Sequence, residues 1–487
     1  MSKPSTSPAS IHFGTDGWRA VIAEDFTFAN LERVAQAYAS YLLDQREMPA
    51  PSEPREPKPS SLVVVGYDWR FLSPQFAERA AEVLAGNDFR IALFGAPVPT
   101  PLVSWAVREQ GAAGGVVITA SHNPPAFNGF KIKDPWGGSA SPETTSAVEA
   151  LVDARPVRRR ELRQHDEREV LETAIKSYRA QVSSYVDLER IRRARLTVLI
   201  DPMHGSGGRW VESFLEGGPV RAETIRANHD PLFGGVNPEP IDQNLGPLKQ
   251  SVRERGAIIG LATDGDADRL GAVNERGETM TMHEVVPLIL LHLARERGMT
   301  GGVVRTFSQS VLTKRIAAAH GLPLYETPIG FKYIAELMLK QDILLGAEES
   351  GGIGVKGHIP ERDGILNCLL LLEAVVRAGK PPSEMVREMH REFGEFYFGR
   401  RDLHMPVARG QSLVAALAAR PPARINGYMV SGVETLDGTK LLFEDESWLL
   451  FRQSGTEPVL RIYAEATSHA KTRSLLDEGE RLAHALP

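Results

Sequence analysis

Cysteine is almost absent from this 487-residue chain: Cys368 stands alone. One thiol builds neither a disulfide framework nor a Cys-rich metal cluster, and it fits a reducing compartment. Long apolar runs are missing as well. None reaches the ~18 residues of a membrane span; the best, residues 365–376, contains Asn367 and Glu373 and reads as a buried helix. The Ser/Pro-rich residues 1–10 carry no apolar h-region, so a secretory signal is not expected and the expected location is cytoplasmic. An excess of positive charge is also lacking. With 56 basic against 62 acidic residues the net charge is −6, which argues against a nucleic-acid partner held by phosphate neutralisation. Chemistry therefore falls to Ser, His, Asp, Glu, Lys and Arg.

What is present is a soluble-globular balance, 42% apolar and 24% charged, in a chain long enough for three or four domains. Val-rich runs at 62–66, 196–200 and 303–305 read as buried strands, each followed by a turn and a helical pattern at 74–84, 208–215 and 311–320. A second set of strands, at 115–118, 258–262 and 343–345, ends in unusual loops. Alternating strands and helices imply βαβ units and mostly parallel sheets, and three units of one plan suggest three related α/β domains. Residues 48–61 hold five prolines and read as a surface loop. The charge-dense stretch 155–169 reads as a linker. Within it Arg158–Arg160 is either a basic patch or a solvated face neighboured by Glu161, Asp166 and Glu167. The last part differs: 441–451, a loop, 460–464 and a polar helix resemble an antiparallel α+β domain.

The sharpest motif is Asp264-Gly265-Asp266-Ala267-Asp268-Arg269, after an apolar strand. Three carboxylates at alternate positions can turn toward one hard cation if the loop is tight, and all-oxygen ligands favour Mg²⁺, Ca²⁺ or Mn²⁺ over zinc. An EF-hand would need glycine at its sixth position, where Arg269 stands, and a metal-free acidic turn is the bland alternative. Thr119-Ala120-Ser121-His122-Asn123-Pro124 also follows a buried strand, which puts Ser121 where α/β proteins do chemistry. Ser121 is a candidate nucleophile. His122 is a poor proton relay for it if the segment is extended, and Lys131 is the better base if the loop folds back. Gly346-Ala347-Glu348-Glu349-Ser350-Gly351-Gly352 offers an acceptor and a hydroxyl suited to sugar hydroxyls. Arg452-Gln453-Ser454-Gly455-Thr456-Glu457-Pro458, with Arg461 beyond, offers an anion cradle. Thr327-Pro328-Ile329-Gly330-Phe331-Lys332 and Gly14-Thr15-Asp16-Gly17-Trp18-Arg19 are weaker alone. Each of these loops also has an ordinary-turn reading. Jointly they suit a substrate with two distinct ends, since phosphate fits both the metal and the cradle.

With these motifs in this order, the chain resembles the α-D-phosphohexomutases of the phosphoglucomutase/phosphomannomutase type, closest in motifs to phosphoglucomutase. The resemblance implies four domains around a central cleft, three related α/β domains with mixed, mostly parallel sheets plus a C-terminal α+β domain. The expected divisions are 1–168, 169–279, 280–393 and 394–487. It implies an intramolecular phosphotransferase with Ser121 phosphorylated and Mg²⁺ held by Asp264, Asp266, Asp268 and a phosphoserine oxygen. Lys131, Arg269, Arg19 and His122 complete the implied catalytic set. Glu348, Ser350, Thr327 and Gly330 would meet the sugar, and Arg452, Ser454, Gly455, Thr456 and Arg461 the non-transferring phosphate. The implied partners are a hexose phosphate and a hexose 1,6-bisphosphate intermediate, with no nucleic acid and no membrane.

Some relatives carry histidine where this chain has Gly352, the phosphoglucosamine group usually has Gln at the position of Glu349, and many relatives have lysine at Arg305. Glu348-Glu349-Ser350 and the Thr327–Lys332 string look closer to glucose-specific members. The expected reaction is therefore glucose 1-phosphate to glucose 6-phosphate, with phosphomannomutase or dual activity as the alternative. A metal-dependent sugar phosphatase is a rival, disfavoured because hydrolysis needs no second phosphate site. A non-catalytic sugar-phosphate binder is disfavoured by Ser121, Lys131 and the triad.

Overall fold

A computed structural model describes residues 11–14, 17–47, 60–162, 167–454 and 458–485. The chain divides into two compact units. One comprises residues 1–279 and 357–373, the other residues 280–356 and 374–487. Segment Gly357–Glu373 thus packs with the first unit although it follows part of the second in sequence.

In the first unit, strands Leu62–Tyr67, Arg90–Leu93 and Gly114–Ile118 pair in parallel. Phe127–Lys133 then runs antiparallel to Gly114–Ile118, and Gly17–Val21 antiparallel to Phe127–Lys133. A second sheet repeats the plan: Arg221–Thr224, Thr197–Asp201 and Ile259–Thr263 are parallel, and Leu270–Asn274 returns antiparallel. Residues Val63 to Val65 and Val116 to Ile118 are fully buried, as the continuous apolar runs of a doubly covered sheet require.

The second unit holds the same plan once more. Leu324–Thr327, Gly302–Thr306 and Ile343–Ala347 are parallel, and Ile353–Val355 is antiparallel to the last. It also holds a six-stranded sheet in the order Tyr397–His404, Val459–Ala466, Trp448–Gln453, Thr439–Phe443, Tyr428–Glu434, Arg424–Ile425. Every pairing in it is antiparallel. The stretch 441–451 is a hairpin: strands Thr439–Phe443 and Trp448–Gln453 are joined by a turn of Glu444, Asp445, Glu446 and Ser447. Glu446 adopts a left-handed φ of 65° and the Asp445 carboxylate accepts from the Ser447 amide. Helix Gly364–Ala378 begins inside the first unit and buries Ile365, Leu366 and Leu369 completely. Among the described residues no helix is long and apolar enough to cross a membrane. Arg155, Arg159 and Arg160 are exposed and face Asp44, Glu32 and Asp88, so the arginine run is a solvated face.

In each of the three α/β sheets a motif loop is the connection from the last parallel strand to its antiparallel partner. Residues 119–126, 264–269 and 348–352 all occupy this position. Two of these loops touch. A Cβ on Gly265 would lie 2.5 Å from the Ser121 carbonyl oxygen, so only glycine lets the acidic loop approach the serine loop this closely. Gly265→Ala is expected to force the loops apart at a cost of about 1–3 kcal/mol. Thermal unfolding measures it, and an unchanged midpoint would mean that the contact is slack.

Candidate functional site

Ser121 sits in the hairpin connection after strand Gly114–Ile118 with a left-handed φ of 51°. The segment is therefore not extended, and the Ser121 Oγ and His122 Nδ1 approach to 3.4 Å. The Oγ donates to Asp264 Oδ2 at 2.8 Å, and the side chain is 1% exposed. An unusual backbone conformation persists only where its surroundings over-determine it. Here they do. The Ser121 amide donates to Thr119 Oγ1 at 2.9 Å, and its carbonyl accepts from Arg70 Nη2 at 2.7 Å.

Arg70 was not singled out from sequence, yet it organises the whole loop. Its guanidinium also donates to the carbonyls of Asn123, Pro124 and Phe127 at 2.6, 2.8 and 3.0 Å. Its buried counter-ion is Asp68, 3.2 Å away, which accepts from Thr119 Oγ1 at 2.6 Å and Ser73 Oγ at 2.9 Å. The available signal was an Asp-x-Arg triplet immediately after a Val-rich strand.

Asp264, Asp266 and Asp268 are completely buried, and each brings a ligand atom within 4.8 Å of the others. Asp264 Oδ1 accepts the amides of Asp268 and Arg269 at 3.0 and 3.1 Å. Asp266 Oδ2 accepts from Lys131 Nζ at 2.8 Å and Thr100 Oγ1 at 2.7 Å. Asp268 Oδ2 accepts from Lys131 Nζ at 3.0 Å and faces Arg362 Nη2 at 3.1 Å. The Oδ1 atoms of Asp266 and Asp268 have no hydrogen-bond partner. Two buried, unsatisfied carboxylate oxygens beside a third carboxylate are a donor set that fits a hard divalent cation.

The charges differ accordingly. Burial, with Asp266 and Asp268 adding to it, holds the Asp264 carboxyl well above the usual range. Burial also works to raise Asp266 and Asp268, but cations outweigh it: Lys131 at Asp266, and Arg362, Lys131 and Arg269 at Asp268. Both are held below the usual range. Arg269 Nε stands 4.0 Å from Asp264 Oδ2 and 3.9 Å from Asp268 Oδ1. Arg19, on strand Gly17–Val21, donates to Asn123 Oδ1 at 2.9 Å. Burial, then Arg269 and Arg19, push the His122 imidazole well below its ordinary value, so it is neutral at pH 7. The first unit therefore gathers Ser121, His122, Lys131, Arg19, Arg269 and the three aspartates.

The second unit carries the other predicted residues. Glu348 opens a tight turn, its amide donating to Gly352 O at 2.9 Å; Glu348 is buried and Ser350 half-buried. Glu349 Oε1 lies 3.3 Å from Arg400 Nη1. Thr327 ends strand Leu324–Thr327, and Gly330 precedes helix Phe331–Lys340 with a φ of 140°. Asp437 Oδ2 ties this turn to Arg452, accepting from the Ile329 amide at 2.8 Å and from Arg452 Nε at 2.9 Å. Arg452 and Arg461 pair across adjacent strands, and the Ser454 amide donates to Val459 O at 2.9 Å. Gly455 and Thr456 lie outside the described residues. Arg305 Nη2 is 2.9 Å from Glu326 Oε1.

Four family models match in chain order. They describe phosphoglucomutase/phosphomannomutase α/β/α domain I (residues 10–158), domain II (176–277), domain III (282–393) and the C-terminal domain (405–481). A phosphoglucomutase/phosphomannomutase of Thermococcus kodakarensis is 32% identical over 476 residues, covering 96% of this chain and 98% of that protein. A phosphoglucosamine mutase of Carboxydothermus hydrogenoformans is 29% identical over 476 residues, covering 96% and 97%. A crystal structure from Thermus thermophilus, described as a "putative phosphomannomutase", is 39% identical with a TM-score of 0.83 and covers 98% of this chain and 100% of that one.

Arg70→Met would leave Asp68 buried without its cation and free four carbonyls. The expected cost is about 3–5 kcal/mol, with faster hydrogen exchange at residues 119–127. Exchange as slow as in the parent chain would mean that the loop is held by something else.

Proposed function

Given that the chain belongs to the phosphoglucomutase/phosphomannomutase family, and is thus an intramolecular phosphotransferase acting on hexose phosphates, we propose that it interconverts glucose 1-phosphate and glucose 6-phosphate. Ser121 is the phosphoryl carrier, and glucose 1,6-bisphosphate is the bound intermediate. The observation that carries this reading is the Ser121 hydroxyl, hydrogen-bonded at 2.8 Å to Asp264 beside two further buried aspartates.

The free hydroxyl of a hexose monophosphate attacks the phosphorus on Ser121; the Ser121 oxygen leaves, and the bisphosphate forms. After the intermediate has turned end for end, Ser121 attacks the other phosphoryl group and the product hydroxyl departs. Asp264, Asp266, Asp268 and a phosphoserine oxygen would hold Mg²⁺, which when bound offsets charge on the transferring group. Arg269 adds a second positive charge at the rim of the triad. Lys131 is the group placed to take the proton of the attacking hydroxyl. Since it donates to two aspartates, it can do so only once their charge is met elsewhere. Neutral His122 lends Ser121 a hydrogen-bond partner without adding charge, and Arg19 steadies the serine loop through Asn123.

Glu348 and Ser350, with Thr327 and Gly330, grip the sugar. Arg452, Ser454, Gly455, Thr456 and Arg461 hold the phosphate that is not transferred. Glucose is favoured by the Glu348-Glu349-Ser350 string and by Thr327–Lys332. Mannose phosphate is the second reading, supported by the name given to the similar Thermus protein.

A coupled assay should convert glucose 1-phosphate to glucose 6-phosphate, faster with added glucose 1,6-bisphosphate and without net phosphate release. Mannose 1-phosphate and glucosamine 6-phosphate run beside it rank the substrates; a higher kcat/KM for either would overturn the glucose assignment. Intact mass of the parent chain should show a phosphoryl increment of ~80 Da, and Ser121→Ala should lose that increment and reduce activity by at least about a thousandfold. Near-normal turnover in that variant would remove Ser121 as the carrier.

A further inference from the structure

The turn before helix Gly364–Ala378 lies against the acidic loop of the first unit. The Gly364 amide donates to Ala267 O at 3.1 Å, and a Cβ on Gly364 would lie 2.5 Å from Arg269 O. Asp363 is anchored by Tyr178 OH at 3.0 Å and His358 Nε2 at 2.9 Å. On this fixed backbone Arg362 reaches Asp268 Oδ2 with Nη2 at 3.1 Å. Behind Arg362 stands Glu361, completely buried. Its Oε1 accepts the Arg362 amide at 3.0 Å and Nε at 3.2 Å. Its Oε2 accepts Lys133 Nζ at 2.7 Å and Ser139 Oγ at 2.6 Å, and Lys133 is itself fully buried. A continuous buried chain thus runs from Lys133 through Glu361 and Arg362 to one oxygen of Asp268. The other oxygen of Asp268 has no hydrogen-bond partner.

We propose that Glu361 and Lys133 are positioning residues: through Arg362 they keep Asp268 Oδ2 occupied and so confine this carboxylate to a single oxygen for a cation. The proposal rests on the reading of the triad as a divalent-cation site. A carboxylate with one oxygen committed binds one-handed. That suits Mg²⁺, which is small, octahedral and served by few protein ligands. Ca²⁺ is larger, takes more oxygens and accepts a carboxylate two-handed. Lys131 alone, shared between Asp266 and Asp268, would hold Asp268 Oδ2 less firmly than Lys131 and Arg362 together. The buried chain is therefore a discriminator between cations as well as a packing feature.

Calorimetric titration of the full chain with Mg²⁺ and with Ca²⁺ tests this, because the ratio of the two dissociation constants does not follow from stability. Arg362→Met is expected to shift the ratio toward Ca²⁺ by about tenfold. The double variant Lys133→Met/Glu361→Leu, which removes the support behind Arg362 and takes the acceptor from Arg362 Nε and Ser139 Oγ, should shift it in the same direction. Glu361→Gln keeps an acceptor for Ser139 while removing the charge that holds Arg362, and should give a smaller shift of the same sign. Mg²⁺ binding by the parent chain with the parent ratio in all three variants would overturn this proposal alone. A shift in Arg362→Met but in neither of the others would remove Glu361 and Lys133 from it. Failure of the parent chain to bind either cation would overturn the metal reading together with this one.

Discussion

Three carboxylates buried within reach of one another repel, and the first unit is arranged around meeting that charge. Lys131 reaches over from strand Phe127–Lys133 of the other sheet in this unit to bridge two of them, Arg362 arrives from 94 positions further along the chain than Asp268, and Arg269 waits at the rim. Each cation is itself buried, so it is stable there only because the aspartates are. Geometry and charge are thus set together. The cations that make the triad tolerable also choose which oxygens stay unoccupied, and Ser121 is hydrogen-bonded to the aspartate with the least cationic support.

The repeated sheet plan explains why the chemistry collects where it does. A parallel strand delivers its C-terminal end to the edge of the sheet, and an antiparallel partner carries the chain straight back. The connection must then be short, irregular and fixed at both ends. Such a loop can hold a serine at a φ of 51° or turn three aspartates inward, because the flanking strands, buried throughout, absorb the strain. The same construction in the second unit presents Glu348 and Ser350.

This also separates what was legible in the sequence from what was not. The serine and aspartate loops could be read because each is contiguous and follows an apolar run whose period is unambiguous. Three α/β units could be read for the same reason. Asp68 and Arg70 escaped because an Asp-x-Arg triplet after a strand has no chemistry of its own; its meaning lies in four carbonyls more than fifty residues away. Glu361 and Lys133 escaped likewise, being joined only by the packing of segment Gly357–Glu373. The hairpin within 441–451 was hidden by apolar residues on both of its strands; the polar turn at residues 444–447 was the signal. Lys131 was read as a base conditional on the loop folding back; its Nζ donates to Asp266 and Asp268, carboxylates so far along the chain that no local pattern reveals the approach.

The triad carries opposed effects on stability. Asp266 and Asp268 are held below their ordinary range, so the stability they lend is present above the unfolded carboxylate value and is lost as acid protonates them. Asp264 is held above its range, so the folded chain prefers it protonated. Its contribution falls as pH rises from the unfolded value through the folded one. At neutral pH the three carboxylates therefore combine two that stabilise with one that costs stability, and the costly one is the partner of Ser121 Oγ. A site optimised for stability alone would have supplied Asp264 with a close cation or an apolar replacement. Keeping it buried and weakly compensated leaves, beside the Ser121 hydroxyl, a place where added positive charge is favourable.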